Sequence, residues 1–567
     1  MKLLLKILPL TFLIFISFSS TTVGQIVINE FMSNNETVLA DEDGEYSDWI
    51  ELYNNSDVPI NLLYYSLSDK IDNLNKWNFP DITIHSHGFL LVFASDKNRL
   101  NVDELHTNFK ISASGESLFL SNNLGQIIDQ IEPIELSENK SYGRLPDGSD
   151  NLLTLSFFTP SNSNNYNNKL TFAYDGGFHA NPFYQKINSL NGDTIYYTLD
   201  GSTPTESSSV FFDSLKMDYK YSAANVFSDI PTTPDQSLIS LKAWKSPNEI
   251  VDKANILRYA SYRNGIRTSE IYTHTYIVDS TIFEKYKLPI ISLVTDAKYF
   301  FDSEEGIYVP GVHHDTLNPY WTGNYFQRDD IWEKPVHIEY YEKDGTLGFS
   351  QNAGVKIHGG KTRQGAQKSL KLYARNEYGK KYFDYPLMPH RDHPKYKRFL
   401  LRATMGTWHN TLLNDVLAHE IARGVGINYQ DYRPAVVFIN GEYWGIHTIR
   451  DRIDERYIGY SYDLDKDSVE FRGFYNIPYN RMIDYIEENG LSDDIHYDSI
   501  QKLIDIENFI DYHITEMFLQ NADWPVNNIE AWKEKNSNGK WRWIFYDIDG
   551  GFLNHKYNMF ELSLIHI

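Results

Sequence analysis

The chain has 567 residues, of which 41% are hydrophobic. That is too apolar for a disordered polymer and enough for about three or four globular domains. A formal net charge of -24 argues against nucleic acid as a partner, because an acidic surface repels phosphate backbones. The sequence contains no cysteine, which excludes disulfides, thiolate catalysis, Cys-ligated zinc and a lipid anchor on an N-terminal Cys.

Residues 1–24 read as a secretory signal: Lys2 and Lys6 supply the positive start, residues 7–18 are apolar, and Thr22-Val23-Gly24 offers small residues before Gln25. The apolar run is short for a membrane span of about 20 residues, and no later segment is long and apolar enough to cross one. An exported chain is therefore expected, secreted or held at the cell surface.

Residues 25–136 alternate short β-rich runs with polar turns, the pattern of a β-sandwich. The phrases "INEFMSNN" and "DWIELYNNS" resemble lamin-tail domains, which implies an immunoglobulin-like binding or spacer module. Residues 137–168, with Pro146-Asp147-Gly148 and "TPSNSNNYNN", have linker composition. Residues 169–278 form a second β-rich block, in which "IYYTLDGSTPT" runs into an Asp200-Gly201 turn and "LKAWKS" and "IYTHTYIV" read as further strands. This block resembles the Fn3-associated sandwich found at chitobiase C-termini. Its aromatic residues could stack on sugar rings, or could simply be core and strand-edge residues.

From residue 285 helical and strand patterns mix. Ile506, Phe509, Ile510, His513, Ile514, Met517 and Phe518 recur at helical spacing. The helix runs into Asn521-Ala522-Asp523, and Trp524-Pro525 forces a loop. Asn528 follows. Residues 529–532 and 541–546 read as a hairpin ending in Asp547-Ile548-Asp549-Gly550. Protein kinases place a catalytic base, a metal-binding Asn and a metal-binding Asp in that order. By itself Asp-x4-Asn is a weak signal, since turn-forming residues and a hairpin cap produce the same spacing.

Residues 354–381 hold eight Lys and Arg against one Glu, a local charge of +7 in an acidic chain. Such a stretch suits polyphosphate. Lys368 shares a strand face with Leu370 and Leu372, so it points inward, towards phosphates or as a snorkelling side chain. Leu413, Val416, Leu417 and Ile421 predict the buried stripe of a helix stopped at Gly424. Glu420, at the edge of that stripe, could pair with Lys368 or with Arg423. His313-His314-Asp315 and His390-Arg391-Asp392-His393 lie in polar loops without a zinc-binding helical frame.

"GVKIHGGKTRQGAQKSLKLYARNEYG", "FLLRATMGTWHNTLLNDVLAHEIARGVG", "VVFINGEYWGIHTIRDRIDERYI", "NADWPVNNIEAWKE" and "KWRWIFYDIDGGF" resemble successive segments of the CotH kinase family. The resemblance implies an atypical protein-kinase fold using ATP and Mg²⁺ or Mn²⁺. It implies Asp523 as general base, Asn528 and Asp547 as metal ligands with Asp549 as a second carboxylate, and Lys368 on the phosphates with Arg363 close by. The expected architecture is multidomain: two N-terminal all-β, immunoglobulin-like sandwiches, then an α+β atypical protein-kinase-like domain over residues 285–567. The sequence ends soon after Asp547, so a fragment, or a lobe lacking part of its substrate platform, is expected. The expected activity is transfer of the ATP γ-phosphate to a hydroxyl of a surface or extracellular protein. The competing reading is a non-catalytic adhesion or scaffold protein, with sandwiches that contact carbohydrate or protein.

Overall fold

The computed structural model describes residues 25–559, apart from 156–157, 166–168, 190–191, 235–242, 264, 376–377, 404–410, 473–476, 526, 537 and 553–557. The signal-like segment 1–24 lies outside the described residues. The chain divides into two compact units, residues 1–165 and 166–567.

The first unit is a sandwich of a six-stranded and a four-stranded sheet. Strands Ile26–Met32, Asp48–Asn54 and Phe89–Ala94 form the middle of the larger sheet. Their inward residues Ile28, Ile50, Leu52 and Val92 bury against Leu67, Trp77, Leu118 and Leu120 of the smaller one. The supposed linker departs from its composition. Strands Ser141–Arg144 and Leu152–Leu155 extend the larger sheet from its edge.

The polar run that follows is bound by the buried carboxylates of Glu30 and Glu51 and the half-buried one of Asp147. Thr159 donates its backbone N–H and its hydroxyl to Glu30, at 3.1 and 2.9 Å. Ser161 donates its backbone N–H to Glu51, and Asn164 donates its own to Asp147 at 2.9 Å. A Ser/Asn-rich segment looks like a linker because its hydrogen-bonding capacity is invisible until the acceptors are placed beside it.

Glu30 and Glu51 face each other across paired strands, and both are fully buried. Burial pushes the Glu30 carboxyl up to about 7, against the lowering effect of hydrogen bonds from Ser141 and Thr159. Burial and the neighbouring Glu30 raise Glu51 well above the ordinary carboxyl range. A folded-state pKa above the unfolded one means the native state binds the proton more tightly. The stability this gives is complete below the unfolded carboxyl value and declines as pH rises towards 7. The Glu51→Gln variant is therefore expected to raise the melting temperature of this unit at neutral pH and to flatten its decline, as read by calorimetry at stepped pH.

The second unit begins with a sheet in the order Gly177–His179, Tyr272–Val278, Asn255–Arg263, Thr194–Thr198 and Ser209–Val210. Its core is Ile195, Leu257, Tyr259 and Tyr276. The expected strand "IYTHTYIV" is present. In "LKAWKS", Leu241 and Lys242 lie outside the described residues and Ala243–Ser246 form no strand.

A closed seven-stranded barrel follows. Its order is Ile290–Val294, Lys334–Tyr341, Leu347–Ile357, Leu370–Tyr373, Arg398–Arg402, Glu442–Asp451 and Tyr432–Ile439, closing in parallel on the first. The register makes two rows. Ile357, Leu370, Leu401 and Ile449 oppose one another inside the barrel; Lys356, Lys371, Leu400 and Arg450 do so outside. Helix Asn414–Val425, helix Ile506–Phe518 and the four-stranded sheet Asn428–Tyr429, Arg542–Phe545, Glu530–Glu534 and Val469–Phe471 make the second lobe. The molecule thus has two β-sandwiches followed by an α+β region.

Candidate active site

The Asp505 side chain caps helix Ile506–Phe518 by accepting from the Asn508 N–H at 3.2 Å. The helix leads into the loop carrying Asp523 and Asn528, and the hairpin Glu530–Glu534/Arg542–Phe545 returns the chain to Asp547 and Asp549. The two loops are tied together. Ala522 N–H donates to the Gly550 carbonyl at 3.2 Å, and the Asn528 side-chain amide donates to the Asp547 carbonyl at 3.1 Å. A Cβ on Gly550 would lie 3.1 Å from Asn521 Oδ1 and 3.6 Å from the Asp523 carboxyl carbon, so glycine permits this approach.

Asn528 and Asp547 adopt left-handed φ of 58° and 59°. Asn and Asp tolerate that region better than other side chains, and strain of this kind gathers where geometry is functional. Asp523 is exposed at the loop tip.

Arg402, from the outer face of the barrel, pairs with Asp547 and stands 3.6 Å from Asp549. Burial pushes the Asp549 carboxyl up to about 6; Arg402 opposes this, and Asp547, Asp415 and Asp523 add to it. Arg402 thus faces three acids, Asp415, Asp547 and Asp549, and the Asp523 loop approaches the same strand end. The sequence-derived residues Asp523, Asn528, Asp547 and Asp549 are thus brought together.

Arg402 and Asp415 were not anticipated. Asp415, on helix Asn414–Val425, is buried. It pairs with Arg450, lies 4.0 Å from Arg402, and accepts the Ile548 N–H at 2.9 Å. Burial opposes its charge, but the two guanidiniums hold it well below the ordinary carboxyl range. It therefore anchors the loop between Asp547 and Asp549.

Three predicted ATP contacts are placed differently. Lys368 is fully buried, as strand parity required, but its three N–H groups go to the carbonyls of Thr232, Arg363 and Gly365 at 3.0, 2.8 and 2.8 Å. The ring of Tyr325 covers it with its centroid 3.9 Å from Nζ. Burial pushes this ammonium well down, and its three donors are matched by three carbonyl acceptors. It has no N–H left for a phosphate.

Arg363 donates to the carbonyls of Gly359 and Tyr325, at 2.6 and 2.8 Å, and acts as a buried strut. Glu420 pairs with Arg423 and accepts from the Tyr432 hydroxyl at 3.1 Å, so it does not meet Lys368. The helix buries Asp415, Ala418, His419 and Ala422, while Leu413 and Leu417 are more than half exposed, and it ends at Gly426 rather than Gly424. In helix Ile506–Phe518 the fully buried positions are Tyr512, Thr515 and Glu516; Ile510, Ile514 and Phe518 are exposed.

The phosphate-compatible cations lie on the barrel's outer face. Burial lowers the Lys371 ammonium to about 8, and Arg452, Arg398 and Lys356 add to this. Among the described residues neither Lys371 nor Arg452 is in an ion pair, and Arg452 Nε is buried without a hydrogen bond. Like charges held together in this way are relieved by an anion. A cavity of about 300 Å³ opens beside Arg398 and Arg452, and its walls add Lys395, Lys397, Arg456 and Lys466 with Asp454 as the one carboxylate. Among the described residues the two His clusters form no group of three metal ligands: His390 pairs with Asp431 at 3.0 Å and His393 stacks on Tyr460.

Residues 355–477 and 475–564 match the family model of the CotH kinase protein. Residues 19–135 match the Lamin Tail Domain and 186–276 the Fn3-associated domain. No curated protein matches the chain. The chain therefore joins a lamin tail domain and an Fn3-associated domain to a C-terminal domain of the CotH kinase family.

Proposed function

We propose that the C-terminal lobe is a phosphotransferase that moves the γ-phosphate of ATP to a hydroxyl of a surface or extracellular protein. The joining of the Asp523–Asn528 loop to the loop of Asp547 and Asp549, with Arg402 on those two carboxylates, carries this reading. Asp547, Asp549 and the Asn528 amide oxygen are hard donors suited to Mg²⁺ or Mn²⁺. The Arg402 guanidinium between the two carboxylates indicates that this position selects positive charge.

A bound divalent ion would supply charge neutralisation to the triphosphate. Lys371, Arg402 and Arg452 would orient the phosphates. The exposed Asp523 carboxylate would take the acceptor's hydroxyl proton while its oxygen attacks γ-phosphorus. The bond to the bridging oxygen breaks and ADP leaves. Export to the cell surface belongs to the same proposal and rests on residues 1–24.

With labelled ATP and candidate surface proteins, Asp523→Asn is expected to cut labelling by about 10²-fold or more, the range for losing a general base, and to leave stability unchanged. Equal labelling by the variant would remove Asp523 from the role. A second reading, a non-catalytic scaffold, draws on the Arg402–Asp547 pair, which balances charge without metal. Absence of any EDTA-sensitive thermal stabilisation at millimolar ATP would favour that scaffold.

A further inference from the structure

The acidic loop 41–47 of the first sandwich contributes to neither core. Asp41, Glu42, Asp43 and Glu45 gather there around Lys97 and Arg99, and Glu104 lies beside Glu42. Lys97 Nζ lies 2.6, 2.7 and 3.0 Å from Asp41, Asp43 and Glu45. Arg99 lies 3.1 Å from Glu42 and 2.8 Å from Asp43. Four acids thus share two bases.

Beside them Glu42, Glu104 and His106 each present a ligand atom, all within 4.8 Å of one another. The Glu104 carboxylate is oriented by accepting the Glu42 N–H. His106 is fully buried and fixed on both sides. Its ring stacks on Phe93 at 5.4 Å, and Nδ1 meets the Ser95 hydroxyl at 2.8 Å. Its Nε2 is buried, makes no hydrogen bond, and stands 3.4 Å from Glu104 Oε1. A buried polar atom with no hydrogen bond is costly and calls for a reason. Metal-bound imidazoles commonly have the other ring nitrogen held by a hydrogen bond, as Ser95 holds Nδ1 here.

We infer that Glu42, Glu104 and His106 form a divalent metal site of the zinc class, which pins the acidic loop to strand Leu105–His106. One nitrogen and two carboxylate ligands suit Zn²⁺ or a neighbouring transition ion better than Ca²⁺ or Mg²⁺, which take all-oxygen sets. A water completes the coordination. The excess negative charge favours the ion and the neighbouring guanidinium of Arg99 keeps Asp43 as its own partner.

The test uses the full chain, stripped of metal and carrying Asp547→Ala with Asp549→Ala, so that both candidate kinase carboxylate ligands are absent and the outcome is independent of the phosphotransferase reading. Calorimetric titration is expected to show one Zn²⁺ site, at least about tenfold tighter than Ca²⁺ or Mg²⁺ binding, and weakened by about tenfold or more in Glu42→Gln and in His106→Gln. Co²⁺ in place of Zn²⁺ is expected to give visible absorption that Glu42→Gln abolishes. Glu42 lies at the surface edge of the cluster, so its variant reports on the site even where His106→Gln unfolds the sandwich. Zn²⁺ affinity unchanged in Glu42→Gln, or a preference for Ca²⁺, would overturn the site and leave His106 as a buried partner of Glu104.

Discussion

Replacing Lys371 by Met is expected to weaken ATP binding by about tenfold, the loss typical of one charge-assisted contact, while leaving the melting temperature within a few degrees of the parent. Lys368→Met is expected to do the reverse. It strands three carbonyls, those of Thr232, Arg363 and Gly365, inside the protein. Each orphaned acceptor carries a desolvation penalty, and together they are worth on the order of 3 kcal/mol or more. The folded fraction of that variant should still bind ATP normally.

The contrast follows from the register. Lys371 stands in the outer row with Lys356, Leu400 and Arg450, whereas Lys368 precedes the strand whose inner face carries Leu370 and Leu372. Isothermal titration with ATP and Mg²⁺, paired with thermal unfolding of each variant, separates the two roles. A Lys368→Met protein of normal stability without ATP affinity would reverse the assignment.

The same pair of lysines shows what the sequence made legible. Strand parity put Lys368 inside, and it is inside. What parity could not show is that the sheet closes into a barrel, so that inside means a packed core with no room for a triphosphate. Closure depends on the parallel pairing of Ile290–Val294 with Tyr432–Ile439, strands far apart in sequence. The candidate catalytic loop was legible because its order is local: helix, Asp523, Asn528, hairpin, Asp547 all lie within one short stretch.

Helix Asn414–Val425 departs from its expected face for the opposite reason. Of the expected stripe Leu413, Val416, Leu417 and Ile421, only Ile421 packs against the lobe's core; Leu413 and Leu417 are exposed, and the buried face is Asp415, Ala418, His419 and Ala422, with Asp415 facing a guanidinium and a backbone N–H. That run does keep the i, i+3, i+4, i+7 spacing of a buried face. It could have been found by scoring small and polar residues alongside apolar ones.

Asp415 should be the costliest single acid to lose in the second lobe. Asp415→Asn keeps the shape and an acceptor for Ile548 N–H, but it removes the carboxylate that pairs with the fully buried Arg450 guanidinium. Breaking one side of a buried ion pair costs about 3–5 kcal/mol, because the remaining charge stays desolvated. Calorimetry of the full chain is expected to show the transition of this lobe falling while that of the first sandwich stays in place.

Replacing both partners, Asp415→Leu with Arg450→Met, should recover most of the loss, since an apolar pair of similar volume avoids the desolvation altogether. The recovered protein separates stability from site geometry. Arg402 then keeps Asp547 and Asp549 as partners, and the Ile548 N–H has lost its acceptor. The double variant is therefore expected to fold yet bind Mg²⁺-ATP more weakly than the parent. Equal affinity in that protein would show that the loop between Asp547 and Asp549 holds its shape without the helix.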